Sequence, residues 1–597
     1  MILEIRASAN PVKVLSRSAL ALTVALQIGG CAHGDQSGNS CVFAALYAPE
    51  AHSDLGMVST GSSEATRAGV RILESGGNAI DAAVAAALAL GVADPGGSGL
   101  GGMTYILISF ADGRSLAVDG SAIVPVRADR TELARLHASE ERFGARAVAV
   151  PMALAAMSHA LEQNGTMTFA RVAAPAIEIA ENGYLLSPNS ISWTNSYLDD
   201  IMDSRYLRFV VLNDGKRVGA PGDLVCRPDL ASTLRTLAAE GPESFYRGSV
   251  ARSMLIDLAS LGGYIRPIDL VSTRAKELQP LSSEYRGAEV LSYPWPGGGG
   301  EVVAMLNILE QLEVDLLRTP SAERMHVMIE ASRLAHADFL RSASSRAQQT
   351  SSLSGHLSRT YARERAGLIT PGRALPEDLI RSSGSAPRMG NHTTHISVAD
   401  RWGNAVAMTQ TLCRQYGAKV ATPGLGFPYN SCLEFFDFEN EASPIYLHPR
   451  ALYASNMAPT IVRHDGTLLI LGSAGSDRIP GSVVEVISNV FDRQMGIRDA
   501  VTAPRALWNS AHDPDRICIE IADPISHADA DELQSFGFEH MFRLDYLAGP
   551  VNDAPFFGGV NAVLYQPATG KYSGVGDPRR NGLALGPRAI VEREGHP

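Results

Sequence analysis

Residues 393–399 and 405–411 read as two short alternating strands rich in β-branched side chains, joined by Asp400-Arg-Trp-Gly-Asn404. A five-residue loop with Asp, Gly and Asn has the turn chemistry of a hairpin, so the strands are expected to pair antiparallel. With Ala399 opposite Ala405, Thr393 falls opposite Thr411 at the open end, placing two hydroxyls within hydrogen-bond reach. Periodicity alone reads these threonines as a ladder, which β-branched propensity explains without any chemistry. A second constraint lies upstream. Residues 64–73 read as a helix, and Asn78 can cap another that runs to about residue 92 and is apolar almost all round. Such a helix belongs in the core. It leads into a glycine run, 94–102, and then an alternating strand at 104–110.

Gly97, Gly99 and Gly102 spell GxGxxG, but here the motif follows a helix and precedes a strand. A dinucleotide site needs the reverse order, so that reading is rejected. Gly297-Gly-Gly-Gly300 lacks the Lys-Ser/Thr pair of a phosphate loop and reads as a tight turn after Pro294-Trp-Pro296. Helical patterns recur at 153–163, 169–182 and 302–311. Residues 343–390, rich in Ser, Arg and Pro, read as a connector, and beyond 393 strands dominate.

The bulk properties narrow the class. Hydrophobic residues make up 45% and charged residues 19% of the 597, as in folded soluble proteins. The formal charge is −12 with no basic stripe, which argues against nucleic acid as a partner. No cysteine or histidine grouping has metal-ligand spacing, so neither metal nor cofactor is expected. At the start, Arg6, Lys13 and Arg17 precede an apolar stretch at 19–28 and then Gly29-Gly-Cys31. This order describes an export signal over 1–31. It resembles a bacterial lipoprotein signal, in which Cys31 would be acylated and would be the chain's sole membrane attachment. The protein is then expected in the periplasm or at the cell surface, or in the cytoplasm if the segment is not a signal. Residues 32–56 read as a polar tether.

Thr393-Thr-His-Ile-Ser-Val, Asp400-x-x-Gly-Asn-Ala-Val and Thr409-Gln-Thr411 resemble the signature of the γ-glutamyltransferase family. Further segments agree in order: Glu64-Ala-Thr, Gly76-Gly-Asn-Ala-Ile-Asp-Ala-Ala-Val-Ala-Ala, Leu100-Gly-Gly, Pro294-Trp-Pro-Gly-Gly-Gly-Gly, Leu306-Asn-Ile-Leu-Glu310, Met457-Ala-Pro-Thr-Ile-Val462, Gly472-Ser-Ala-Gly-Ser-Asp-Arg-Ile479 and Gly576-Asp-Pro-Arg579. The resemblance covers roughly 57–590. It implies an α/β (α+β) fold, the four-layer αββα sandwich of N-terminal-nucleophile hydrolases. It also implies a precursor that cuts itself between His392 and Thr393. The products would be a large subunit, 57–392, and a small one, 393–597, which begins with the catalytic threonine. Thr411 would orient the Thr393 hydroxyl, and the backbone N–H groups of Gly475 and Ser476 would form the oxyanion hole. His336 and His395 are then structural, because a threonine with its own amine needs no imidazole base.

The substrate pocket departs from the pattern. Where the family has Asp-x-Arg, whose Arg grips a carboxylate, this chain has Asp119-Gly-Ser121, and Ser cannot supply a charged bidentate fork. Cys413 stands where Asn is usual, and Phe435 replaces the second acid of the family's loop. Glu434 is left either to pair with a substrate amine or to serve as a solvated loop charge. Ser455-Asn456 replaces Ser-Ser. Cys413 and Cys432 fall where the family lines its pocket with polar residues, and two readings stay open: a disulfide formed after export, or two small buried side chains. The expected function is a self-processing amide hydrolase or acyl transferase acting on a small-molecule amide with a non-standard acyl group. The alternatives are an ordinary γ-glutamyltransferase acting on glutathione, a relative with a biosynthetic bond-cleaving role, and an unprocessed, non-catalytic relative.

Overall fold

The apolar helix is apolar on every side because protein surrounds it. Helix α1 (Ser63–Glu74) packs along helix α2 (Ala79–Ala93), and all 15 residues of α2 are buried. Asn78 caps α2 as expected: its Oδ1 accepts the N–H groups of Ile80 and Asp81, each at 3.0 Å, and the Asp81 carboxylate accepts the Asn78 N–H at 2.8 Å. Asp400 adds a long-range cap, accepting the Ala79 N–H at 2.9 Å. The same carboxylate accepts the N–H groups of Trp402 and Asn404, at 2.9 and 3.0 Å, so one side chain shapes the hairpin loop and anchors the helix start.

The computed structural model describes residues 48–139, 143–343, 355–380, 392–509, 516–546 and 554–588. Strands β1 (Ala51–Ser53), β2 (Gly56–Thr60), β3 (Met103–Ser109), β4 (Ser115–Gly120), β5 (Lys276–Leu278), β6 (Leu281–Tyr285), β7 (Ala288–Ser292), β8 (His392–Asp400), β9 (Ala405–Cys413), β10 (Thr460–His464), β11 (Thr467–Gly472), β12 (Asn561–Gln566), β13 (Lys571–Gly576) and β14 (Leu583–Leu585) build two seven-stranded antiparallel sheets. The first runs β14-β2-β8-β9-β3-β4-β5 and the second β1-β13-β12-β11-β10-β7-β6. They face each other through β8 and β9 on one side and β11 and β12 on the other. Helices α1, α2 and α3 (Ala153–Asn164) cover the first sheet. The second is covered by α4 (Gly299–Leu309), α6 (Arg478–Phe491) and α7 (Ile497–Thr502), with α5 (Ala322–Ala343) packed on α4. This is the expected four-layer αββα arrangement.

The hairpin register is as read from the sequence, with Ala399 opposite Ala405 and Thr393 opposite Thr411. One irregularity was not foreseen. Between His392 and Thr393 the pairing slips, and His392 faces Cys413. Such a bulge re-aims the backbone at that point. The two sheets approach closely here because Gly472 has no side chain: a Cβ on it would lie 2.3 Å from Cε1 of the His395 ring.

The folded chain begins earlier than Met57. β1 lies within the segment read as a tether, yet its residues pair with Tyr572, Ser573 and Gly574, so the tether boundary is corrected. A short run of three residues carries too little periodicity to be read as a strand. Within 343–390, helices Arg359–Ala366 and Glu377–Ile380 interrupt the expected connector. Each sheet takes strands from both sides of position 392, so 57–392 and 393–597 are interleaved and share one core. The export segment and Cys31 lie outside the described residues. Among the described residues, no helix is long and apolar enough to cross a membrane.

Candidate active site around Thr393

Thr393 ends the regular part of β8, and the bulge before it turns the His392 carbonyl toward β9. The Thr393 hydroxyl donates to Thr411 Oγ1 at 3.4 Å, a long bond, and Thr411 Oγ1 in turn donates to the His392 carbonyl oxygen. The Cys413 N–H donates to Thr411 Oγ1 at 2.9 Å. A hydroxyl has one proton to give, and with its lone pairs taken by the Cys413 N–H and the Thr393 hydroxyl, that proton points at the His392–Thr393 peptide. Thr411 therefore touches the peptide bond itself as well as the Thr393 hydroxyl.

Cys413 has φ +74° and is disulfide-bonded to Cys432, with Cα atoms 5.7 Å apart. Of the two readings left open, the disulfide holds. The bond closes a loop of 19 residues directly behind Thr411. Replacing both cysteines with alanine is expected to lower stability by about 3 kcal/mol, the chain-entropy value for a loop of this size. A denaturant titration of the double variant beside wild type checks this, and an unchanged midpoint would contradict it.

His395, two residues after Thr393 on β8, has both ring nitrogens occupied, Nδ1 by Thr409 Oγ1 at 2.8 Å and Nε2 by Ser397 Oγ at 3.0 Å. Burial pushes its pKa down to about 3, so the ring is neutral. His336 is paired with Glu301 at 3.1 Å.

The residues expected to form the substrate pocket are otherwise engaged. Ser121 Oγ donates to Asp119 Oδ1 at 2.5 Å and lies 3.2 Å from the Tyr105 hydroxyl, which reaches the Tyr453 carbonyl. Ser455 Oγ accepts the Met457 N–H at 3.3 Å, and Asn456 Nδ2 donates to Asp477 Oδ1 at 3.1 Å. Glu434 is not the solvated loop charge of one of its two readings. It is largely buried and ion-paired with Arg414, whose guanidinium lies 5.1 Å from the Phe435 ring centre. Burial pushes the Glu434 carboxyl up, and Arg414 opposes the shift. Gly475 and Ser476 follow β11 with φ +131° and +60°, a turn that delivers the chain into α6. Ser476 Oγ donates to Asp477 at 3.2 Å.

Thr393 instead borders an open cavity of about 170 Å³ whose walls include Tyr184, Trp193, Tyr416, Arg580 and Asn581. Ala474, just before the Gly475–Ser476 turn, lines it too, whereas Ser121, Cys413, Glu434, Ser455 and Asn456 do not. Asp94, also in the wall, is pushed up to about 6 by burial, against the pull of Arg580. The Arg580 guanidinium lies 5.0 Å from the Trp193 ring centre and is pushed down to about 9 by burial and by Arg478. His392 packs its ring nearly perpendicular to that of Trp193, with centroids 4.4 Å apart, and to that of Tyr197 at 6.0 Å. Burial, with Arg580, Lys419 and Arg478 nearby, holds the His392 imidazole well below its ordinary pKa. Sequence reasoning missed Trp193, Tyr197 and Arg580. Only Arg580 had a signal, as the residue after Gly576-Asp-Pro-Arg579.

The gamma-glutamyltranspeptidase family model matches residues 65–586. The chain belongs to this family. A glutathione hydrolase proenzyme of Pseudomonas sp. (strain A14) is 34% identical over 91% of this chain and 96% of that protein. The acylase ACY 1 proenzyme of Pseudomonas sp. (strain V22) is 33% identical over 86% of this chain and 90% of its own. Among solved structures, cephalosporin acylase from Bacillus halodurans superposes with a TM-score of 0.78 at 25% identity, covering 96% of this chain and all of that one. The protein is thus a γ-glutamyltranspeptidase-family enzyme of the hydrolase and acylase type, with an N-terminal-nucleophile hydrolase fold. Glycines of the family motif earn their place sterically. A Cβ on Gly101 would lie 2.2 Å from the Pro428 carbonyl oxygen, and one on Gly102 would lie 2.4 Å from that of Thr411. The backbone carrying Thr411 could not approach the 94–102 turn otherwise.

Proposed function

We propose that the chain is a self-processing amide hydrolase or acyl transferase whose nucleophile is Thr393, and that its acyl substrate is not γ-glutamyl. The observation that carries the first part is the relay from Thr393 to Thr411 to the His392 carbonyl. The Thr393 oxygen adds to the His392 carbonyl carbon, which Thr411 polarises. The C–N bond then breaks as the nitrogen takes a proton, leaving an ester between His392 and the Thr393 side chain. Water hydrolyses the ester to a His392 carboxylate and a free Thr393 amine. With a reference pKa of about 7.7–8.0, that amine accepts the hydroxyl proton near neutral pH in each later turnover. Nucleophile and base then sit on one residue, so their geometry is covalently fixed. The Gly475 and Ser476 N–H groups serve as oxyanion donors in this reading. Two relatives named as proenzymes support the processing step.

The second part rests on Ser121, Glu434 and Phe435. No guanidinium stands at position 121, and the Glu434 carboxylate is already paired with Arg414. A relative named as an acylase and a structural neighbour named as a cephalosporin acylase fit an altered acyl group. Export is part of the proposal, and the Cys413–Cys432 bond fits an oxidising compartment.

Intact-mass analysis of purified wild type and Thr393→Ala tests the mechanism. Wild type is expected as two fragments joining at 392/393, and the variant as one uncut chain without amidase activity. A variant that is still cut there would refute Thr393 as the nucleophile. Turnover of γ-glutamyl p-nitroanilide as the preferred substrate would return the protein to the ordinary glutathione-hydrolase reading.

A further inference from the structure

We infer that the acyl group this enzyme accepts ends in a flat aromatic ring two carbons from the carbonyl, a 3-arylpropanoyl amide, and that Trp193 is the wall on which that ring rests. The inference depends on Thr393 being the nucleophile.

The uncut chain supplies the template. The carbonyl next to Thr393 belongs to His392, so on its acyl side stand Cα, Cβ and then a planar ring. That ring makes a T-shaped contact with Trp193, with an interplanar angle of 78°, and Tyr197 stands nearly perpendicular to it at 86°. Edge-to-face contacts at such separations are the preferred arrangement of aromatic rings. A substrate carbonyl attacked by the same oxygen from the same side puts its own acyl chain where the His392 chain lies before the cut. Departure of His392 frees that aromatic corner beside Thr393 and Trp193, both of which line the cavity.

The side chains at the competing location are bonded to one another. Around the positions where the family grips an amino acid's carboxylate and amine stand the Ser121–Asp119–Tyr105 hydrogen bonds, the Cys413–Cys432 bond and the Arg414–Glu434 pair over Phe435. A pocket wall of Trp, Tyr and Arg selects by ring shape, and aromatic contact of this kind separates substrates by roughly tenfold or more.

The test compares 3-phenylpropanoyl, butanoyl and γ-glutamyl p-nitroanilides on the cut enzyme. The aryl anilide is expected to show kcat/KM at least about tenfold above both others. Trp193→Ala should reduce the aryl-to-butanoyl ratio by about tenfold through KM, while Trp193→Phe keeps the ratio near the wild-type value. Equal or better turnover of the butanoyl or γ-glutamyl anilide, or an unchanged ratio in Trp193→Ala, overturns the inference while leaving Thr393 as nucleophile. A wild-type chain that stays uncut at 392/393 overturns the nucleophile reading, and this inference falls with it.

Discussion

Thr411→Val is expected to slow the cut between His392 and Thr393 by about 10²–10³-fold, the usual loss when one donor to a developing oxyanion is removed. Valine has nearly the shape of threonine, so β9 should pair as before and the change should remove hydrogen bonding alone. The lost hydroxyl is the group that donates to the His392 oxygen and accepts from Thr393. As the Thr393 oxygen attacks, charge accumulates on that carbonyl oxygen, and no solvent dipole replaces the missing donor quickly at a buried site. Thr411→Ser keeps the hydroxyl and should process close to the wild-type rate. The measurement is the fraction cut against time after a synthesis pulse, read by mass. Equal rates for Thr411→Val and wild type would show that the relay does not drive the reaction.

The largest effect on stability is expected from Arg579→Ala, about 3–5 kcal/mol, the cost of breaking a buried ion pair from one side. The Arg579 guanidinium is completely buried and donates to Glu520 at 2.7 and 2.6 Å and to Asp577 at 3.2 Å. Asp577 also receives Arg505 at 2.6 Å and the Val560 N–H at 2.9 Å. Without Arg579, the fully buried Glu520 carboxylate loses its counter-charge, while the Tyr546 hydroxyl at 2.9 Å remains as a neutral donor. Thermal unfolding followed by circular dichroism, or loss of the soluble fraction on expression, reads the result. A melting temperature within a degree of wild type would contradict it. The network also explains Gly576-Asp-Pro-Arg579 as a structural motif. It ties the loop before β14 to Arg505 and Glu520, close to where Arg580 enters the cavity wall.

Much of the fold could be read from the chain alone. The Asp400–Asn404 loop and two runs of alternating residues were enough for strand identity and register, because hairpin pairing is local and side chains alternate with a period of two. The burial of α2 followed from its composition, and its cap from Asn78. The bulge at His392 was not legible, since a one-residue slip at the end of a hairpin leaves no mark on the alternating pattern. Nor was the partner of Glu434. Arg414 lies only 20 residues away, but nothing in the linear order distinguishes a pairing from solvation. Strand β1 was missed because three residues acquire strand geometry only from β13, more than 500 positions later.

Thr393 shows the division most clearly. The sequence by itself determined that this threonine lies on a strand, opposite Thr411, at the open end of a hairpin inside a two-sheet core. Those facts rest on short-range periodicity, turn chemistry and an ordered set of motifs. Only the tertiary structure decided what surrounds it: the His392 carbonyl turned onto the Thr411 hydroxyl, the disulfide behind, and the cavity walled by Trp193 and Arg580. Trp193 and Arg580 come from segments about 200 residues to either side of Thr393. Their meeting is set by how layers pack, which no local pattern encodes.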